Sequence, residues 1–132
     1  MRIARSICFM IVVANSVAPM ASAAELTKDT LPQVKKSVDD EKAVLVDVRE
    51  KKEWDEGHIA GAIFLPLSGL QDGVTKEELK LLPKEKILYV HCVVGKRAVT
   101  AANILERNGY KVRPMKSGYK EMIAAGFSKA KE

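Results

Sequence analysis

Cysteine is scarce in this chain, and its scarcity limits what can hold the fold together. The sequence contains only Cys8 and Cys92, and Cys8 lies in an N-terminal segment that we expect to be removed. Small secreted domains often carry an even set of cysteines paired in disulfides. The single thiol that remains excludes an internal disulfide. A free thiol in an oxidising compartment also indicates that the chemistry of the protein requires it.

Other absences narrow the class of protein further. Lysines and arginines form no cluster interleaved with aromatic residues, which make up 5% of the chain, so nucleic acid is not an expected partner. His58 has no second ligand at a zinc spacing, so neither a metal nor another cofactor is expected. No internal repeat or low-complexity tract occurs. These absences leave a small, cofactor-free domain as the expectation.

The first 23 residues follow the order of charge and hydropathy that is typical of a secretory signal peptide. Two arginines come first, residues 7–13 are apolar but too short to span a bilayer, and Ala21-Ser-Ala23 is a small-residue cleavage signal. An uncleaved anchor is the alternative. Cleavage after Ala23 lowers the net charge from +5 to +3 and leaves residues 24–132, enough for one domain. We predict a signal peptide at residues 1–23 and a monomeric, periplasmic domain without membrane attachment.

The rest of the chain alternates strand-like and helix-like segments. Strands are expected at residues 25–27, 43–48, 62–65, 86–91 and 111–115, and helices at residues 30–40, 50–56, 75–82, 96–108 and 118–125. This order predicts an α/β fold with a mostly parallel central sheet and helices on both faces. Trp54 is expected in the core. Ligands bind at the carboxyl ends of strands in such folds, and Asp47 and Cys92 both fall there.

Cys92 lies between the most apolar predicted strand and the helix predicted from Lys96. A helix N-terminus and the adjacent cations, Lys96 and Arg97, both favour a thiolate over a thiol. A loop of backbone N–H groups around a thiolate can also hold an anionic sulfur adduct or an incoming oxyanion. The alternative is an inert buried cysteine, which is common for a lone cysteine. The position of Cys92 favours a reactive thiol.

Two groups of motifs in this chain resemble those of the rhodanese domain. The first comprises Leu45-Val-Asp-Val-Arg-Glu50, Glu53-Trp54, Gly57-His-Ile-Ala-Gly-Ala62 and Leu65-Pro66, and the second is His91-Cys92-Val-Val-Gly95-Lys-Arg97. The resemblance covers residues 44–127 and implies a single rhodanese-like domain at residues 24–132. The family's late motif is weaker here, because Ser117 and Met122 replace a glycine and a tryptophan. With its signal peptide, the chain is most similar to small exported bacterial rhodaneses of the phage-shock type.

The resemblance implies a thiosulfate sulfurtransferase that works through a persulfide on Cys92. Thiosulfate or a similar donor would supply the sulfur, and cyanide or a thiol would accept it. The implied substrate-binding residues are Val93, Val94, Gly95, Lys96 and Arg97, through their backbone N–H groups, the turn at Gly95 and the two cations. Supporting roles are implied for Asp47, Arg49 and His58. We expect Asp47 to bind Arg97 or the loop amides, Arg49 to pair with Asp47 or Glu53, and His58 to hold its turn by hydrogen bonds.

Two other functions fit a fold of this kind. Related phosphatases and arsenate reductases carry a longer loop, C-x5-R, whereas four residues separate Cys92 from Arg97 here. The shorter loop suits a sulfur atom better than a tetrahedral oxyanion. Arsenate reduction is also disfavoured, because the expected mature chain has no resolving cysteine. The second alternative is a non-catalytic module that binds sulfur or a partner. Retention of Cys92 argues against it, because inactive rhodanese domains often lose the cysteine.

Overall fold

A four-stranded sheet with the order β2-β1-β3-β4 forms the centre of the molecule. In this computed structural model the described residues are 23–131, so nearly all of the predicted signal peptide, residues 1–22, lies outside them. The strands are β1 (Ala43–Asp47), β2 (Ile63–Phe64), β3 (Ile87–His91) and β4 (Lys111–Pro114). All three strand pairs are parallel. The predicted α/β class and parallel sheet are confirmed.

Helices cover both faces of this sheet. They are α1 (Leu31–Asp39), α2 (Lys51–Glu56), α3 (Leu67–Gln71), α4 (Lys76–Lys80), α5 (Lys96–Arg107) and α6 (Tyr119–Ala124). Side chains alternate along the strands, so Val46 and Val90 pack on the face of α3 and α5, whereas Leu45 and Tyr89 pack on the face of α1 and α6. Cys92 belongs to the first of these two cores. Among residues 23–131, no helix is long and apolar enough to cross a bilayer.

Local sequence signals explain where several helices begin. Thr30 caps α1 and Thr75 caps α4, and in each case the hydroxyl accepts the N–H of the residue three positions later. Glu78 completes a capping box with Thr75, because its side chain accepts the Thr75 N–H at 2.9 Å. Helix α5 begins after Gly95, whose φ of 100° lies in the left-handed region that favours glycine. Its buried face consists of three alanines and Leu105 and packs on β3 and β4.

The N-terminal strand predicted at residues 25–27 is absent. Only one backbone hydrogen bond links this segment to the sheet edge, from Thr27 N to Pro114 O at 2.7 Å, and no ladder follows. Helix α3 was not predicted, because Ser68, Gly69 and the preceding Pro66 are residues typical of loops. Burial of Leu67 and Leu70 against the core stabilises this helix despite its composition.

Trp54 does not lie in the core, contrary to the prediction. It is half-buried on α2, and its indole stacks on the His58 ring with centroids 3.5 Å apart and planes 5° apart. The centroid of the Phe64 ring lies 4.9 Å from the centroid of the Trp54 indole. Because α2 has only six residues and no buried side chain, its single large aromatic covers a sheet edge rather than filling the centre.

Candidate active site

The thiol of Cys92 lies directly after β3 and is 1% exposed. Its Sγ accepts a hydrogen bond from the backbone N–H of Gly95 at 3.2 Å. Gly95 is also the residue before α5, a helix of 12 residues, so the positive end of the helix dipole lies next to the sulfur. The predicted combination of a thiol, a turn of left-handed backbone and a helix N-terminus is therefore present at one point of the structure.

A cleft of about 260 Å³ opens above this thiol, between α2 and α6. Helix α2 contributes Glu53 and Glu56, and the start of α6 contributes Tyr119, Lys120 and Glu121. The α6 residues and Glu56 were not predicted as site residues from the sequence. A signal for α6 was available, because this helix follows the carboxyl end of β4, the same sheet edge at which Cys92 lies.

The loop after Cys92 presents its valine side chains to solvent. Val93 is 48% exposed and Val94 is 64% exposed, so what these residues can offer inside the loop is their backbone N–H groups. The carbonyl oxygens of Cys92 and Val93 lie against Gly118, where a β-carbon would approach each to 2.7 Å. In a trans peptide the N–H points opposite to the C=O. The N–H groups of Val93 and Val94 are therefore directed away from Gly118.

Arg49 lines the cleft beside Cys92 and is held there by Asp47. Its Nε lies 3.0 Å from Asp47 Oδ1, and its Nη2 lies 2.7 Å from Oδ2 and 2.8 Å from the carbonyl of Gly57. The guanidinium carbon is 5.2 Å from the centre of the Tyr119 ring. Within residues 23–131, Nη1 of Arg49 has no hydrogen-bond partner. The guanidinium of Arg49 is thus fixed in position, while the two N–H groups of its Nη1 have no partner among residues 23–131.

The Asp47 carboxylate is fully buried and remains ionised. Burial alone would raise the pKa of Asp47, but its contacts with His91 and Arg49 outweigh burial and hold the pKa well below its usual range. Nε2 of His91 is 3.4 Å from Oδ2, in a geometry that falls short of a regular hydrogen bond. We therefore attribute the lowered pKa of Asp47 chiefly to its ion pair with Arg49. His91 is fully buried in β3.

Arg97 binds Glu53, so the expectation that Asp47 binds Arg97 is wrong. Nη1 and Nη2 of Arg97 lie 2.7 Å and 3.0 Å from the two oxygens of Glu53. The pair ties the first turn of α5 to α2, and the hydrogen bonds lower the pKa of Glu53 and raise the pKa of Arg97. Asp47 is unavailable to Arg97 because Arg49, two residues away, occupies both of its oxygens.

The structure does not bring every predicted residue to the cleft. Arg97 and the exposed Lys96 are not among the residues that line it. His58 lies at the end of α2, where its Nδ1 is 2.9 Å from the carbonyl oxygen of Trp54, and it also lies outside the cleft lining. In the part of the chain that the structure describes, no group of three or more His, Cys, Asp or Glu residues is arranged to hold a metal ion.

Together, a buried thiol at the carboxyl edge of a parallel sheet and a cleft above it define a cysteine-centred α/β domain. Residues 30–125 match the family described as the Rhodanese-like domain, and the chain belongs to that family. The fold, the site and this match identify a rhodanese-domain protein of the sulfurtransferase-like kind.

Individual relatives are similar at moderate identity. The chain is 38% identical over 92 residues to the uncharacterised protein YqhL of Bacillus subtilis, covering 69% of this chain and 68% of YqhL. It is 34% identical over 68 residues to thiosulfate sulfurtransferase GlpE of Coxiella burnetii, covering 52% of this chain and 59% of GlpE. The solved structure of the single-domain sulfurtransferase RDL2 of Saccharomyces cerevisiae is similar, with a TM-score of 0.62 and 29% identity over 81% of this chain and 94% of RDL2. The chain spans less than two thirds of several curated relatives.

Proposed function

We propose that this protein is a sulfurtransferase that carries sulfane sulfur on Cys92. Thiosulfate or a similar compound is the donor, and cyanide or a thiol is the acceptor. The observation that carries the proposal is the Cys92 Sγ, buried below a cleft and hydrogen-bonded to the N–H of Gly95 at the start of α5. The names of GlpE and RDL2, a thiosulfate sulfurtransferase and a single-domain sulfurtransferase, support the same reaction class.

The reaction is two nucleophilic displacements at sulfur and needs no external oxidant. The Cys92 thiolate attacks the outer sulfur of thiosulfate, a new S–S bond forms, and the S–S bond of the donor breaks with its electron pair leaving on sulfite. The acceptor then attacks the terminal sulfur of the persulfide, and the Cys92 thiolate leaves. Cyanide becomes thiocyanate in this step, and a thiol becomes a persulfide.

Residues of the chain stabilise the two anionic sulfur species in this cycle. The N–H of Gly95 and the N-terminus of α5 favour the thiolate and then the terminal sulfur of the persulfide. The geometry favours Arg49 over Arg97 as the cation that meets an anionic donor. Nη1 of Arg49 is unpaired within residues 23–131 and lies on a side chain that lines the cleft, whereas Glu53 occupies both terminal nitrogens of Arg97.

The same ion pair argues against phosphatase activity. A phosphate bound in the loop would need the arginine that follows the loop, and Arg97 would first have to leave Glu53. The loop is also one residue shorter than the C-x5-R loop of the related phosphatases. We further propose that the protein acts as a periplasmic monomer of the exported, phage-shock type. That proposal is supported by the signal-like pattern of residues 1–23.

Incubation with thiosulfate followed by intact-mass analysis tests the proposal. We expect the wild type to gain one sulfur atom and then to form thiocyanate with cyanide, because the Cys92 thiolate is the nucleophile. Cys92→Ser should do neither, and Cys8→Ser is the matched control that should behave as the wild type. Sulfur loading of Cys92→Ser, or its absence from the wild type, would contradict the proposal. Hydrolysis of p-nitrophenyl phosphate at a comparable rate would favour the phosphatase instead.

A further inference from the structure

Residues 24–29, which we call the N-terminal strap, run along the outer edge of the sheet without forming a strand. The strap is tied down at its start, where Ala24 N donates to Asn103 Oδ1 on α5 at 2.7 Å. It is tied again in the middle, where Thr27 N donates to the Pro114 carbonyl oxygen at the end of β4 at 2.7 Å. The strap therefore crosses from α5 to the carboxyl end of β4, past Gly95 at the end of the Cys92 loop.

The far end of the strap is held by charge. Asp29 Oδ2 accepts hydrogen bonds from the Tyr89 hydroxyl at 2.6 Å and from Arg113 Nη1 at 2.7 Å. These contacts lower the pKa of Asp29, the Tyr89 bond most of all, so the carboxylate is charged at neutral pH. Tyr89 lies on the central strand β3 and Arg113 on β4, and the strap is thus joined to the sheet as well as to α5.

Between these anchors, Leu26 lies over the glycine that donates to the thiol. A β-carbon built on Gly95 would stand 2.9 Å from Leu26 Cδ2 and 3.3 Å from both the Met115 oxygen and the Lys116 Cα. The side of Gly95 on which a β-carbon would stand is therefore walled both by Leu26 of the strap and by the backbone after β4. Its N–H is the group that reaches Cys92 Sγ at 3.2 Å.

We propose that Leu26 is a positioning residue, which holds the Gly95 peptide so that its N–H stays directed at Cys92 Sγ. Without Leu26, one wall beside Gly95 is lost, and a glycine peptide is free to rotate because no β-carbon restricts it. A hydrogen bond to an anionic sulfur is roughly twice as strong as one to a neutral thiol, so losing it destabilises the thiolate and the persulfide more than the thiol. The importance of this effect for turnover rests on the proposed function, but its effect on the thiol does not.

The test compares Leu26→Ala with Leu81→Ala, both in a Cys8→Ser background. Leu81 is the matched control, because it is an exposed leucine, 64% accessible against 39% for Leu26, and lies after α4. Alkylation of Cys92 by iodoacetamide is measured across a pH series. We expect Leu26→Ala to move the midpoint of this profile to higher pH and to slow alkylation at neutral pH by up to about tenfold, the scale of a weakened hydrogen bond to a charged group. Leu81→Ala should match the wild type.

Two further variants separate positioning from general destabilisation. Leu26→Ile keeps an aliphatic side chain of the same size and should restore most of the alkylation rate. Thr27→Pro keeps the Leu26 side chain but removes two anchors of the strap, the N–H that binds Pro114 and the hydroxyl that accepts the Asp29 N–H, and it should shift the profile in the same direction as Leu26→Ala. An unchanged profile in Leu26→Ala, an equal shift in Leu81→Ala, or no recovery in Leu26→Ile would each overturn the proposal. A shifted profile in a protein that never loads sulfur would keep this proposal and sink the proposed function.

Discussion

At the scale of single residues, Asp47 is held by both burial and an ion pair. Its carboxylate is inaccessible to solvent, and both oxygens accept hydrogen bonds from the guanidinium of Arg49. Removing one partner of a buried ion pair leaves an uncompensated charge, which is far costlier than removing an exposed pair. The stability of the domain and the position of the cation at the cleft thus depend on the same carboxylate.

Asp47→Asn should therefore destabilise the domain by about 3–5 kcal/mol at neutral pH. The pKa of Asp47 is lowered in the folded state, so its contribution is present above the ordinary value of 3.8 and is lost as the pH falls below it. Urea unfolding of the wild type should accordingly show stability falling in this acidic range, and the variant should show a flatter dependence. Asp39→Asn, in an exposed pair with Lys35, is the control and should cost under about 1 kcal/mol. Equal losses for the two variants would contradict the prediction.

The sequence located the thiol at the carboxyl edge of the sheet but did not decide which carboxylate each arginine binds. Cys92 was predictable because a strand, a glycine and a helix start fix its surroundings within a few residues of chain. Two arginines and two carboxylates compete nearby, and sequence spacing alone left Arg49 with Asp47 or Glu53 as partners. Packing decides the pairing, since Asp47 and Arg49 are two residues apart at the end of β1, whereas Glu53 projects from α2 toward α5.

At the scale of elements, the backbone before α6 packs tightly against the Cys92 loop. Gly118 precedes α6, and a β-carbon there would meet the carbonyl oxygens of Cys92 and Val93 at 2.7 Å. Both atoms belong to the backbone, so they cannot move aside as the end of a flexible side chain can. Helix α6 also supplies three residues of the cleft, and any shift of this contact would move the loop and the cleft wall together.

Gly118→Ala should consequently slow sulfur transfer by more than about tenfold and destabilise the domain by about 1–3 kcal/mol, because the added methyl group overpacks this contact. The measurements are the rate of thiocyanate formation and the midpoint of urea unfolding. Gly69→Ala is the control, since Gly69 lies in α3 and its nearest neighbour to a β-carbon is 3.9 Å away. That control should keep full activity and gain slightly in stability. Normal activity in Gly118→Ala would show that the loop tolerates displacement.

Elements with strong local signals were predicted, and elements defined by tertiary contacts were not. The boundaries of β1, β3 and α5 differ from the predicted ranges by one residue at most, because apolar runs and the glycine at position 95 define them. The segment at residues 25–27 looked like a strand, but only one of its N–H groups bonds to β4. Helix α3 forms despite its serine and glycine and the proline before it, because Leu67 and Leu70 are buried in the core.

At the scale of the whole molecule, export is the prediction that changes the setting of the chemistry most. We expect protein recovered from the periplasm to begin at Ala24, because residues 1–23 carry the charge, apolar and small-residue order of a signal peptide. N-terminal sequencing of the periplasmic fraction measures this. The double variant Ala21→Leu, Ala23→Leu should accumulate uncleaved, since cleavage requires small residues at both positions. A wild-type protein that begins at Met1 in the cytoplasm would refute the prediction.

The parallel sheet also determines how long the thiol is unprotected while the chain folds. Among residues 23–131 no strand pairs with its neighbour through a tight hairpin, and the central pair joins Ala43 to Ile87, 44 positions later in the sequence. Contacts between such distant residues form slowly, because loop closure costs entropy before any contact is gained. Cys92 follows β3 directly and is covered only when β3 docks. On the proposal that the protein is exported, the rate of sheet assembly governs how long the sulfur is exposed to oxidants, and fast folding protects the reactive group.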